Sequence, residues 1–258
     1  MGTFETSASG WAVLVVASVL LGTSKTGLSG VGILAVALFA LVIPARASTG
    51  IVLPLLVVGD AIAVVVYRRH AVWSHLVKLL PITAVGVIVG ALLMRTSLLQ
   101  SNQSVKIVIG AIVIAVVLYT YAQRLWKREL AVQAHATWSV VLLTGITAGM
   151  LTMVANAAGP IMVFYLLAIG LPKNEFIGTG AWFYFLVNLF KTPFSASLGL
   201  ISPASLGLDL ILAPAVIAGA LMGKWLVSLI NQRVFVELTL ALTLLSGLDL
   251  LLEPLLRR

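Results

Sequence analysis

Three charged side chains stand out because they lie in or beside long apolar runs. Asp60 interrupts IVLPLLVVGDAIAVVVY, with nine residues before it and seven after. A charge at the bilayer centre costs about 2.5–3.5 kcal/mol, so Asp60 should face the protein interior. There it has three candidate roles: a proton site for coupling, a partner for Lys25 or Lys191, or a satisfied buried acid that holds a helix. Lys191 lies one turn beyond Asn188 in FLVNLFKTPF, on the same helix face. Beside an anion it supplies charge; at a helix end it reaches for the headgroups instead. Lys25 has the same two readings.

The second kind of signal is a pair of small-residue breaks, TSKTGLSG at 23–30 and MVANAAGP at 153–160. Non-helical backbone at membrane depth is tolerated only where it is buried in protein or lines a wet cavity. Lys25, Thr26, Gly27, Ser29, Gly30 and Gly32 precede one apolar run; Asn156, Ala157, Ala158, Gly159 and Pro160 precede another. Each break presents a new helix N-terminus, where unpaired N–H groups and the positive end of the macrodipole favour an anion. Pro160 suits a first helical turn, where its missing N–H costs nothing. Two facing termini would form a central cradle for a small anion, with Thr26, Ser29 and Asn156 as side-chain donors and Lys25 and Lys191 balancing charge. The competing reading is that these small residues only let helices pack closely.

The elements that must position these residues follow from composition. The chain has 258 residues, 61% hydrophobic and 9% charged, with 16 Lys and Arg against 8 Asp and Glu and no Cys. An ordinary soluble domain is about 25% charged, so the chain belongs in a bilayer. The absence of Cys excludes disulfides and thiolate metal sites. The surplus of +8 fits Lys and Arg retained in cytoplasmic loops, and no basic run interleaves with aromatics as nucleic-acid binding would need. His70, His75 and His135 have no partner at ligand spacing, so neither metal nor cofactor is expected. No phosphate loop, nucleophile motif or carboxylate pair points to an enzyme. Trp11, Trp73, Trp138, Trp182, Tyr67, Tyr119 and Tyr121 lie mostly near segment ends, as an interfacial belt. MGTFETSASG has no basic residue before the first apolar run, so the first segment is expected to stay in the mature protein.

Apolar runs fall at 11–23, 31–43, 50–67, 76–94, 105–122, 139–152, 160–171, 177–190, 208–229 and 234–252. The first, second, sixth and seventh are too short for the roughly 20 residues that span a bilayer. A shift of 128 superimposes Pro44 on Pro172, Gly50 on Gly178 and Asp60 on Asn188. A shift of 133 superimposes Pro81, Gly86 and Gly90 on Pro214, Gly219 and Gly223, with the added residues expected in the loop after Lys191. The fold expected is an all-α polytopic membrane protein of 8–10 segments, built from two pseudosymmetric repeats with paired short or broken helices. The halves are 1–122 and 138–258, joined by a polar cytoplasmic linker at 123–137. Totals of Lys and Arg do not decide the orientation of the repeats; short helices that stop near the midplane favour inversion. The loops at 68–75 and 123–137 are expected on the cytoplasmic side.

The glycine-rich first break, LPLLVVGDAIAVVVYRRHAVW with Asp60 and Trp73, the P-x4-G-x3-G at 81–90 and NLFKTPFSASLGLIS together resemble the TauE/SafE sulfite exporter family, from about residue 10 to 250. Asn156 and Pro160 depart from the family's second break, which is often glycine-rich like the first. The resemblance implies a multi-pass transporter of the bacterial inner membrane that exports sulfite, thiosulfate or organosulfonates by alternating access, with protons as a candidate coupling ion. An uncoupled anion channel, a permease of unrelated substrate and a membrane-embedded enzyme or assembly subunit are the competing classes. The substrate, the direction of transport and the oligomeric state, a homodimer included, are not legible in the sequence.

Overall fold

The computed structural model describes residues 7–27, 31–96 and 138–256, and the described residues form nine α-helices and one 3-10 turn without a strand. In chain order the helices are α1 (Ala8–Thr26), α2 (Val31–Val42), α3 (Ala45–Tyr67), α4 (Trp73–Arg95), α5 (Trp138–Ala155), α6 (Gly159–Ala168), α7 (Lys173–Ser197), α8 (Pro203–Leu229) and α9 (Gln232–Leu256). Five helices, α1, α3, α4, α5 and α8, are long and apolar enough to cross a membrane. The run expected at 105–122 and the linker at 123–137 lie outside the described residues.

Two expectations are corrected. The first and sixth segments, expected to be short, are helices of 19 and 18 residues. In α1 the polar stretch at 23–26 does not end the helix, because Thr23 and Ser24 return their hydroxyls to the carbonyls of Val19 and Leu21 at 2.8 and 2.7 Å. The second correction concerns the added residues of the second repeat. The connection after α7 (198–202) is as long as the one after α3 (68–72), so the insertion lengthens α7 and α8 instead of the loop.

Helix packing follows the repeat and exchanges partners between its copies. The first helix of each copy packs on the fourth helix of the other, α1 on α8 and α5 on α4. Glycines set both contacts: Gly22 lies against the Val216 carbonyl and Gly149 against that of Thr83, while Gly219 lies against Val19 and Gly86 against Ile146. A side chain at any of them would strike backbone, so the P-x4-G-x3-G spacing is a surface for close helix approach. The apolar core divides accordingly. One cluster joins Leu14, Leu21, Phe39, Ile51, Leu55 and Val216; the other joins Leu76, Val87, Ala148, Met162, Tyr165 and Phe183.

The equivalent helices α3 and α7 cross where Asp60 meets Asn188. Gly50, early in α3, rests on Leu200 beyond the end of α7, and Gly178, early in α7, rests on His70 beyond the end of α3. The two helices are therefore antiparallel. Equivalent helices that cross antiparallel at equivalent residues are related by a two-fold axis perpendicular to both, which makes the repeats inverted. Lys173 donates to the carbonyls of Val227 and Ile230 at 2.9 and 2.6 Å, bringing the end of α8 to the face that also carries Arg68 and Arg69.

Candidate functional site

Asp60 is fully buried at the crossing of α3 and α7, and two side chains satisfy its carboxylate. The Lys25 ammonium lies 2.8 Å from Oδ1, and the Asn188 amide donates to Oδ2 at 2.6 Å. Gly59 leaves the space that the Lys25 stem occupies; a Cβ there would come within 3.0 Å of the lysine Cγ. The ammonium also stands 4.6 Å from the ring centroid of Tyr184, within reach of a cation–π attraction.

Lys191, only 1% exposed, has a different set of partners. Its ammonium donates to Asn156 Oδ1 at 2.5 Å, to the Thr152 carbonyl at 3.0 Å and to the Thr152 hydroxyl at 2.9 Å. All three acceptors are neutral. One carboxylate therefore faces two ammonium groups, and the pairing of Lys25 with Asp60 leaves the charge of Lys191 uncompensated. Asn156 holds its place with backbone in the left-handed region, at φ 53°, a conformation that asparagine tolerates better than other residues with a Cβ. Its amide donates onward to the Thr49 carbonyl at 3.1 Å. It thus ties the end of α5 to the start of α3.

Between these two groups lies a cavity of about 40 Å³, lined by Ser24, Lys25, Gly32, Val36, Leu56, Thr152, Asn156, Ala158, Gly159, Tyr184 and Asn188. One water needs about 10–15 Å³ on this measure, so the space holds a few waters or one compact oxyanion. The first turns of α2 and α6 both reach it, through Gly32 and through Ala158 and Gly159. Pro160 stands in the first turn of α6, where its missing N–H breaks no bond. The cavity is thus bordered by two helix N-termini, the lysine of an ion pair and the asparagine that carries a buried ammonium.

The residues singled out in the sequence divide by position. Lys25, Asp60 and Asn188 form one bonded group and Lys191 and Asn156 a second, and Lys25, Asn188 and Asn156 meet at the same cavity. Lys25 and Thr26 belong to the last turn of α1, with the break starting at Gly27. The Thr26 hydroxyl donates to the Ala220 carbonyl, and Gly27 packs against Gly223, so both serve the contact between α1 and α8. Ala157 is buried with its N–H on the Leu151 carbonyl at 3.2 Å, closing the end of α5. Ser29 and Gly30 lie outside the described residues. Tyr184 and Thr152 are site neighbours that the sequence reading omitted. Tyr184, Asn188 and Lys191 recur at the spacing of one helical face, and Thr152 precedes Asn156 by four residues, so a periodicity test centred on the charged residues would have found both.

In comparison with known proteins, the family model described as Sulfite exporter TauE/SafE matches residues 14–250. No curated protein and no solved structure matches the chain.

Proposed function

Because the chain belongs to the sulfite exporter TauE/SafE family, a family of multi-pass membrane transporters, we propose that it carries a small sulfur oxyanion across the bilayer by alternating access of the cavity between its inverted repeats. Sulfite and thiosulfate suit the cavity in size; organosulfonates share the charged head. The observation that carries this reading is Lys191, a buried ammonium whose partners are all neutral, held by Asn156 at the cavity wall. An anion in the cavity supplies the missing charge. It is bordered by Lys25 and by the N-terminal turns of α2 and α6, whose N–H groups favour negative charge. Asn156 donates its amide N–H to the anion in place of the Thr49 carbonyl, and Asp60 competes with the anion for Lys25. That competition gives protons a place in the cycle, since protonating Asp60 frees Lys25 for the anion.

The halves are 1–122 and 138–258 with a linker at 123–137, and the face bearing Arg68 and Arg69 is the cytoplasmic side of a bacterial inner membrane, in accord with its positive charge. The test is flux in proteoliposomes. Radiolabelled sulfite should accumulate against its gradient when a pH gradient is imposed. Flux that only dissipates the sulfite gradient makes the protein a channel, and absence of both flux and binding across sulfite, thiosulfate and taurine rejects the transport reading.

A further inference from the structure

A second, smaller cavity of about 10 Å³ lies beside the first and is lined by Ser24, Lys25, Val163, Leu166, Phe176, Ile177, Gly180, Ala181 and Tyr184. The two share Ser24, Lys25 and Tyr184. From the first cavity at the N-terminal turn of α6, the second continues along α6 to Leu166 and back along α7 to Phe176. At 1.5 Å per residue Phe176 is about 12 Å from Tyr184 along the axis of α7. This end of α7 meets the face that carries Arg68–His70: Gly178 packs on His70, and the Thr179 hydroxyl accepts from the Val72 N–H at 2.9 Å. The second cavity therefore leads from the site toward that face. Beyond the three shared residues its wall is apolar, a collar that a hydrated anion does not cross unless it widens.

The ring of Tyr184 stands at the junction of the two spaces, edge to face with Phe183 at 5.4 Å between centroids, and its polar end is lightly held. Its hydroxyl reaches the Gly159 carbonyl at 3.5 Å, the outer limit of a hydrogen bond, and its face lies on Lys25. Lys191, by contrast, has three short bonds and Asp60 two. Below the ring, Gly180 removes any side chain from the path: a Cβ there would lie 3.6 Å from Leu166 Cδ1 and 3.7 Å from Tyr184 Cε2, ordinary contact distances, so larger side chains extend into the second cavity. We propose that Tyr184 is the gate between the anion site and a path between α1, α6 and α7 that opens at the Arg68–His70 face, and that Gly180 keeps this path clear. Displacement of the ring joins the two cavities. Because the ring lies on Lys25, an anion that draws the ammonium away also loosens the gate.

This proposal rests on the transport reading above, and the experiment separates the two. Purified protein is reconstituted for flux of radiolabelled sulfite, and in parallel its thermal stabilisation by sulfite is measured in detergent. Gly180→Leu should cut flux at least tenfold while leaving stabilisation by sulfite unchanged. Gly207→Leu, where a Cβ meets nothing within 4 Å, controls for the added bulk. Tyr184→Ala should raise downhill flux several-fold and abolish accumulation driven by a pH gradient. The chain has no Cys, so Gly180→Cys provides a single thiol; a methanethiosulfonate reagent should modify it and stop flux. Wild-type flux in Gly180→Leu, joint loss of binding and flux there, wild-type coupling in Tyr184→Ala, or a Gly180→Cys thiol that does not react during turnover would each overturn the gate. If the unmodified protein neither binds nor moves sulfite, the transport reading fails instead.

Discussion

Asn188 donates a 2.6 Å hydrogen bond to Asp60 from 128 positions away in the sequence, and the repeat makes the two residues equivalents of one another. Their bond spans the pseudo-two-fold axis between α3 and α7. An identical pair of carboxylates would repel there, and an identical pair of amides would offer Lys25 no charge. The inequality of the two residues lets the axis hold one buried ion pair, between Lys25 and Asp60, with the amide completing the carboxylate. The second cation comes from a place that breaks the symmetry: the residue of α3 equivalent to Lys191 is Ala63. The fold is symmetric; the charge is not.

The ion pair is the first point to test by mutation. Removing one member of a buried pair leaves an uncompensated charge and costs about 3–5 kcal/mol. Asp60→Asn and Lys25→Met should each lower stability by about that amount, and the double variant should be clearly more stable than the sum of the two predicts. Denaturant unfolding in detergent measures the cycle; additive effects would mean that the pair contributes nothing. In flux assays Asp60→Asn should keep sulfite binding and lose its response to a pH gradient, whereas an unchanged response would leave Asp60 a structural role alone.

Lys191→Met keeps most of the unbranched side chain and removes its charge. Lys191 stands behind Asn156, outside the cavity lining, and unit charges about 8 Å apart interact by about 2 kcal/mol at an effective dielectric of 20, so sulfite affinity should fall roughly thirtyfold. The protein itself should lose no more than about 3 kcal/mol, because the oxygens of Asn156 and Thr152 lose their donor while a costly buried charge is also removed. Isothermal titration with sulfite against unfolding of the same sample separates the two effects. Undiminished sulfite binding in a folded Lys191→Met protein would exclude Lys191 from the site.

Much of this arrangement was legible because charge is scarce in an apolar chain. Asp60 stood out for that reason, and the repeat shift identified Asn188 as its counterpart before any contact was known. Lys191 was legible as a candidate, though its burial was not, since the same sequence would serve a lysine that reaches the headgroups. Tyr184 is inconspicuous among the aromatics of AWFYFLV, and only its spacing of four and seven residues from Asn188 and Lys191 marks it as the ring on their helix face. Thr26 illustrates the opposite case. Its hydroxyl looked available to a ligand, yet it bonds to Ala220 on a helix almost two hundred residues away. At the end of α1, Ser and Thr in sequence suggest an early break, whereas in an apolar setting their hydroxyls bond back to the helix and it continues to Thr26.

The exchanged packing of the repeats predicts matched losses from matched substitutions. Gly22→Val and Gly149→Val should each cost about 3 kcal/mol or more, since the new side chain meets a backbone carbonyl that cannot rotate away. Gly207→Val, facing open space, should stay within about 1 kcal/mol, the usual helix-propensity range. Thermal unfolding in detergent compares the three. A large loss at Gly22 with none at Gly149 would show that the two contacts are not equivalent.

Asn156 combines a backbone requirement with a chemical one, and three substitutions separate them. Asn156→Gly and Asn156→Ala both delete the bonds to Lys191 and Thr49. Only the alanine must also accept the left-handed backbone at φ 53°, so it should be the less stable by about 1–2 kcal/mol. Asn156→Asp keeps the size and places a carboxylate 2.5 Å from the ammonium of Lys191, at the position of the present amide oxygen. That gives Lys191 the anionic partner which the proposed substrate supplies, while the bond to the Thr49 carbonyl is lost. Stability should therefore change by less than about 2 kcal/mol, as a buried pair gains what a broken hydrogen bond gives up. Sulfite binding should weaken roughly a thousandfold, because the site's surplus charge is gone and the new carboxylate repels the ligand. Calorimetric titration of the folded Asn156→Asp protein with sulfite decides the matter: affinity within tenfold of the unmodified chain would mean that the anion does not depend on the charge of Lys191.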